Sequence, residues 1–256
     1  MADVDAIVLD LDGGPMLAAC LDSLFAQSVP FRRVIVFDNG SRTPVLPRAG
    51  VKLIRSHENL GFTGGVNAAY AHATAEFVAL INNDVVLDAD WLSTVLAAMT
   101  PRVAAVQTVV RRDAQTIDGA GIDASDGTFR QIGHGLPLGS AIPEAWGVSA
   151  TATLYRRAAL GAEVFDPRFF AYYEDVELSA RLRAAGWELR VLPEAKASHR
   201  GSQTRLPQAM RLRTRNRYWV ARKHRVGRIG ALLWEDLKLL IKGKGSLRGV
   251  IEGLTR

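Results

Sequence analysis

A doubly wound α/β domain on a mostly parallel sheet, carrying a basic helical extension at its C-terminus, is the fold class that this sequence predicts. Three observations lead there. Short β-rich runs alternate with segments of helical periodicity through the first half of the chain. Those runs are apolar at nearly every position, as strands buried on both faces are. The charge is also divided unevenly: residues 1–195 hold 16 Lys and Arg against 23 Asp and Glu, and residues 196–256 hold 16 against 3. A chain of 256 residues is long enough for one domain with a full core, and so for one active site.

In chain order, strands are predicted at residues 6–11, 34–37, 51–54, 77–81 and 103–106, with helices at 16–27, 65–73 and 89–99 between them. The first helix places Leu17, Cys20, Leu21, Leu24 and Phe25 at helical spacing, which makes Cys20 a core thiol. As the single cysteine it has no internal disulfide partner, so a reducing compartment is expected. Residues 111–144 are rich in Gly and Asp with weak periodicity and read as an irregular or hairpin insertion. A second apolar run occupies 148–155, a helix is predicted at 174–184, and basic amphipathic helices begin at Leu206. There is no internal repeat or low-complexity segment.

The bulk properties exclude several classes. The first residues carry acids where a secretory signal needs bases, and no stretch approaches the roughly 20 apolar residues of a membrane span, so neither export by that route nor a membrane crossing is expected. A uniformly basic domain would suggest nucleic acid; an acidic body with a basic tail suggests a separate electrostatic anchor. In that tail Ile229, Leu232, Leu233, Leu237, Leu240 and Ile241 form an apolar stripe flanked by Lys238, Lys242 and Lys244. It fits either an anionic membrane surface or packing on the domain or a second subunit.

In doubly wound sheets ligands lie beyond the carboxyl ends of the strands. Asp84 follows an apolar strand with Asn82 and Asn83 beside it, a setting that suits a hard divalent cation bridging phosphates, although Asn-Asn-Asp is also a good turn sequence. Asp38 and Asn39 end another strand and can meet a nucleobase edge or ribose hydroxyl, or simply form a turn. The segment from Asn59 through Gly61, Gly64 and Gly65 to Asn67 brings glycines before a helix, where backbone N–H groups can approach an anion, yet it is neither a dinucleotide fingerprint nor a P-loop. Aromatic residues adjoin acids from Phe169 to Glu177, which suggests either a walled pocket with a base or a helix start. His199 is a candidate ligand or phosphate contact.

Five stretches in order, VIVFDNGS, NLGFTGGVNAAY, FVALINNDV, WGVSATATLYRRAAL and FDPRFFAYYEDVELSARLRAAGW, resemble the family 2 glycosyltransferases of the GT-A fold, especially bacterial rhamnosyl- and galactofuranosyltransferases. The resemblance runs from Ala6 to about Thr204. It implies a catalytic domain over 1–205, with a nucleotide-sugar half to about 110 and an acceptor half from about 111, and a tail over 206–256. It implies an inverting transfer from a nucleotide diphosphate sugar to a glycan, lipid-linked or small-molecule acceptor, in bacterial polysaccharide, cell-wall or glycoconjugate synthesis. Donor contacts are implied at Asp38, Asn39, Asn59, Gly61, Gly64, Asn67, Asn83 and Asp84. Asp84 is implied as the ligand of Mg2+ or Mn2+ with His199 nearby, Asp175 as general base, and Glu174, Trp146, Tyr172 and Tyr173 on the acceptor side. A cytoplasmic protein, peripheral on the inner face of the plasma membrane and compatible with a homodimer, is the matching expectation.

One departure stands out. Relatives usually end the first strand with Thr or Asn, Tyr, Asn, where this chain has Asp10-Leu11-Asp12-Gly13-Gly14. That sequence looks like the nucleophile motif of haloacid-dehalogenase-type phosphatases, with Asp10 attacking phosphate and Asp12 as acid/base, but it explains none of the other motifs. A non-catalytic sugar-nucleotide or nucleic-acid binding module is the remaining alternative. The tail does interleave Arg211, Arg213, Arg215 and Arg217 with Tyr218 and Trp219, yet no nucleic-acid motif accompanies it.

Overall fold

The computed structural model describes residues 3–199 and 208–255. The strands are β1 (Val4–Asp10), β2 (Arg33–Asn39), β3 (Val51–Ser56), β4 (Phe77–Asn82), β5 (Val85–Leu87), β6 (Val103–Arg111), β7 (Ile117–Gly119), β8 (Ile122–Asp123), β9 (Arg130–Gln131), β10 (Ala152–Arg156) and β11 (Glu188–His199). The helices are α1 (Pro15–Phe25), α2 (Gly61–Tyr70), α3 (Trp91–Ala97), α4 (Glu174–Ala184), α5 (Ala209–His224), α6 (Ile229–Ile241) and α7 (Leu247–Thr255).

The main sheet runs β3-β2-β1-β4-β10-β6-β11-β5, with β7 on β6. Its first four strands are parallel, β10 is antiparallel to both neighbours, and β11 returns parallel to β6. Parallel strands joined by crossover helices are buried on both faces, which explains why β1 and β2 are almost wholly apolar. One face packs on α1 and α3 around Leu24, Trp91 and Leu92, and the other packs on α2 and α4 around Val66, Tyr70 and Leu178.

Strand β5 has no counterpart in the sequence reading, β6 runs on to Arg111, and three further elements differ from that reading. Helix α2 begins at Gly61, ahead of the expected start at residue 65. The Asn39 carboxamide accepts from Leu60 N–H (3.0 Å) and Asn59 Oδ1 accepts from Gly61 N–H (2.8 Å), so side chains satisfy donors that the helix start leaves open. The run at 148–155 is strand only from Ala152. The 12-residue β11 follows a segment with weak alternation, and its pairing with β6 shifts register around Pro193.

The insertion contains β7 and the small hairpin β8-β9. The boundary expected at 205/206 lies outside the described residues, but the extension is not a detached appendage. Helix α5 packs on α4, burying Leu212, Tyr218 and Val220. Its cations meet acids: Lys223 Nζ lies 2.7 Å from Glu177 and 2.9 Å from Asp166, and Arg217 pairs with Asp236 of α6. Within the stripe on α6, Leu232 is buried while Leu233, Leu237 and Ile241 stay exposed. Among the described residues no helix is long and apolar enough to cross a membrane.

Candidate functional site

The ends of β1, β2 and β4 lie side by side, with Asp10 in register with Asp38 and Leu9 with Asn82. Beyond them a cavity of about 270 Å³ is bounded by Asn39, Asn83 and Asp84 on one side and by Tyr172, Glu174 and Asp175 on the other. The strand-end carboxylate of Asp84 and a helix-start acid pair, far apart in sequence, therefore share one cleft.

Asp84 is 3% exposed and its Oδ1 has no hydrogen-bond partner. Strand β11 brings His199 opposite Val85, which sets its Nε2 3.1 Å from Asp84 Oδ2. Its Nδ1 lies 2.7 Å from Asp118 Oδ2, at the centre of β7. Burial alone would lower the imidazole pKa, but the two carboxylates outweigh it and hold His199 at about 9. This set fits a divalent cation. Asp84 and His199 would supply an oxygen and a nitrogen ligand: Asp84 Oδ1 is buried without a partner, and Asp84 Oδ2 and His199 Nε2 already lie 3.1 Å apart. Asp118 behind the imidazole fixes its orientation as carboxylates behind ligating histidines do.

On the opposite wall a single turn (Pro167–Phe169) leads into Phe170, Tyr172 and Tyr173, all with positive φ, and then into α4. Of the first-turn acids, Glu174 and Asp175 both reach the cavity, whereas Glu177 does not line it. Residues one apart on a helix project about 100° from each other, which suggests that only one should face it, but the cavity lies off the helix end, not along its side. Asp175 Oδ1 accepts from Val176 N–H at 2.8 Å, and Glu174 Oε2 is buried without a partner. Burial raises both carboxyls above their ordinary range, and the neighbouring Asp175 charge raises Glu174 further. A cleft with a candidate cation ligand, Asp84, at one end and a carboxylate of raised basicity at the other is suited to moving a group off a diphosphate onto a hydroxyl.

Residues 12–162 match the family model of glycosyl transferase family 2. The chain belongs to that family. It is 28% identical over 237 residues to an N-acetylglucosaminyl-diphospho-decaprenol L-rhamnosyltransferase of Mycobacterium tuberculosis, covering 78% of this chain and 76% of that one. It is 30% identical over 233 residues to the O-antigen biosynthesis protein RfbC of Myxococcus xanthus, covering 81% of this chain and 18% of that one. Among solved structures, the mannosyltransferase PcManGT of Pyrobaculum calidifontis in complex with GDP-Man and Mn2+ superposes with a TM-score of 0.63 at 16% identity, covering 97% of this chain and 77% of that one.

Not every residue singled out from the sequence lines the cleft of this glycosyltransferase. Asn39, Asn59, Gly61, Asn83, Asp84, Tyr172, Glu174 and Asp175 do. Asp38 is fully buried as a turn anchor, accepting from Ser41 N–H (2.8 Å) and Val45 N–H (3.1 Å) with Arg55 at 3.5 Å. Burial works against its charge, but these bonds prevail and lower its pKa. Asn67 ties α2 to Phe165 through both of its amide atoms (2.8 and 3.0 Å), and Gly64 packs beside Leu60. Tyr173 and Trp146 do not line the cavity and pack against Phe129, each with ring centroids 6.1 Å away.

The phosphatase alternative finds no support in this arrangement. Asp10 is 1% exposed and accepts from Asn83 Nδ2 at 2.7 Å, while Asp12 pairs with Arg42 on the surface at 3.0 Å. Asp118 is missed in the sequence, because it sits in an insertion whose only local signal is its Gly and Asp content, whereas Phe170 lies inside a recognised motif but is not singled out there.

Proposed function

We propose that this chain is an inverting, divalent-metal-dependent transferase that moves a sugar, rhamnose first among the candidates, from a nucleotide diphosphate donor to a hydroxyl of a lipid-linked or other glycan acceptor in bacterial surface polysaccharide synthesis. The observation that carries the reading is the shared cleft, with Asp84, contacted by His199 at 3.1 Å, at one end and Asp175 at the other. The rhamnosyltransferase and O-antigen relatives support the choice of sugar and pathway class, and the Mn2+ of the mannosyltransferase structure supports the metal.

Asp84 and His199 would hold Mg2+ or Mn2+, with Asp118 orienting the imidazole. The bound cation supplies positive charge that offsets the leaving diphosphate, so no protein acid is required there. Asn39, Asn59 and Gly61 form the donor edge, and Asp38 fixes the turn that presents Asn39. On the acceptor side Tyr172 supplies an aromatic wall and Glu174 orients hydroxyls. Asp175 accepts the proton of the attacking hydroxyl while that oxygen bonds the anomeric carbon and the bond to the diphosphate oxygen breaks on the opposite face, inverting the centre.

A panel of dTDP, UDP and GDP sugars, assayed for metal-dependent nucleoside diphosphate release with acceptor present, tests the reading. Turnover of dTDP-rhamnose is expected, and no release from any sugar with Mg2+ or Mn2+ contradicts it.

A second reading concerns the extension and places the enzyme at the cytoplasmic face of an anionic membrane. It is supported by the exposure of Leu233, Trp234, Leu237 and Ile241 on α6, and of Leu247 and Ile251 on α7, beside Lys238, Lys242 and Lys244. Cations near such a surface add about 1 kcal/mol each. Flotation with phosphatidylglycerol vesicles is the test. No binding, or a stable dimer that hides these residues, overturns it.

A further inference from the structure

The loop that delivers the acid pair is held from two sides, and one of them is the C-terminal extension. Phe170, Tyr172 and Tyr173 have φ of 62°, 71° and 67°. Bulky side chains adopt this left-handed backbone only where surrounding contacts over-determine it. On the donor side Thr63 N–H donates to Phe170 O at 3.1 Å, and Gly61 leaves room for that carbonyl, since a Cβ there would lie 2.5 Å from it.

On the other side stands Asn216 of α5, fully buried. Its Nδ2 lies 3.0 Å from Phe169 O, 2.9 Å from Ala171 O and 2.7 Å from Tyr172 O. Two amide hydrogens thus serve three carbonyls of the loop, so one hydrogen is shared between two of them. The amide cannot flip without losing this, because Arg215 Nε donates to Asn216 Oδ1 at 2.9 Å. Arg215 also reaches Arg168 O and Phe169 O, both at 3.3 Å, and Arg213 stacks over the Tyr172 ring at 4.5 Å. Both the loop and α5 fall beyond the family match at residues 12–162.

We propose that Asn216 is a positioning residue for sugar transfer: by gripping the carbonyls of Phe169, Ala171 and Tyr172 it fixes the acceptor wall and the start of α4 against the donor side. The proposal rests on the reading of Glu174 and Asp175 as acceptor-side catalytic groups. An amide is what the place requires. A leucine, branched alike, donates nothing to three carbonyls, and an aspartate sets oxygen against oxygen. The extension is then part of the catalytic apparatus, whatever its outer face does.

The full-length Asn216→Ala chain tests this, with transfer from dTDP-rhamnose to a short-chain polyprenyl N-acetylglucosaminyl diphosphate as the rate assay and dTDP with Mn2+ as the binding probe. A displaced reacting group costs up to about 10²-fold, so a fall in kcat of about 10- to 100-fold with dTDP affinity within about twofold of the parent is expected. Should Asn216→Ala not fold, Arg215→Ala, on a half-exposed side chain, is expected to show the same split at about 3- to 10-fold. A kcat within about twofold of the parent in the variants that fold overturns the proposal. So does a loss of dTDP affinity in proportion to kcat, which is what general loosening produces. Asp175→Asn assayed in parallel separates the two readings, since full activity in that variant overturns the base assignment itself.

Discussion

Replacing Glu174 by Gln should stabilise the protein, and only at neutral to alkaline pH. Glu174 is 8% exposed with Oε2 unpartnered, and burial followed by the Asp175 charge raises its pKa well above the ordinary 4.5. Between its ordinary and its raised pKa the folded chain therefore retains a proton that the unfolded chain has released. Stability accordingly falls as pH rises through that window and is fully present below it. A buried, unsatisfied group costs about 1–3 kcal/mol, and more when charged. For a chain of this size each kcal/mol shifts Tm by about 2–4 °C. Glu174→Gln is thus expected to melt roughly 2–12 °C above the parent at about pH 8.5 and to converge with it at about pH 5, by calorimetry. Transfer should fall only a few fold, because an amide still orients hydroxyls. Identical melting temperatures at both pH values would mean that the charge at residue 174 is solvated in the folded protein, and the reasoning fails.

Other substitutions probe the remaining parts of the site. Asp84→Ala should abolish Mn2+-dependent dTDP binding by titration calorimetry without unfolding, and His199→Ala should weaken it less; parent-like binding by Asp84→Ala overturns the metal assignment. Asp118→Asn leaves the first ligands in place but changes what orients His199, so a loss of about 10- to 100-fold in metal affinity is expected, and unchanged affinity contradicts the role of Asp118. Gly61→Ala must fit a Cβ 2.5 Å from Phe170 O at φ of 74°, which predicts about 2–4 kcal/mol of destabilisation, read as a Tm drop of roughly 4–16 °C. A drop below about 2 °C would show that the loop yields easily.

The sequence exposed what local chemistry can encode. The runs around Val36 and Leu80 announced buried parallel strands, and the acids after Tyr173 marked the start of α4 at Glu174, where the structure has it. What stayed hidden depends on contacts distant in the chain. The start of α2 is set by Asn39, from another strand, and β11 is specified by its edge with β6, not by alternation. Asp118 and His199 are 81 residues apart and meet only because β7 and β11 flank β6. The same holds for Asn216, whose role appears only once α5 folds back on the loop at Phe169. Trp146 and Tyr173, expected from the sequence as acceptor contacts, both pack on Phe129 outside the cavity lining, and an aromatic side chain serves a core and a sugar face equally well, so its type alone does not say which.

The central claim is that a carboxylate across the cleft from Asp84 takes the acceptor proton, and Asp175→Asn tests it most directly. The asparagine keeps an oxygen to accept from Val176 N–H, 2.8 Å from Oδ1 in the parent, so the start of α4 should persist. With saturating donor, Mn2+ and a competent acceptor, single-turnover transfer is expected to fall about 10²- to 10⁴-fold while dTDP binding stays at the parent value. Transfer within a few fold of the parent contradicts the claim and moves the search for the base to Glu174.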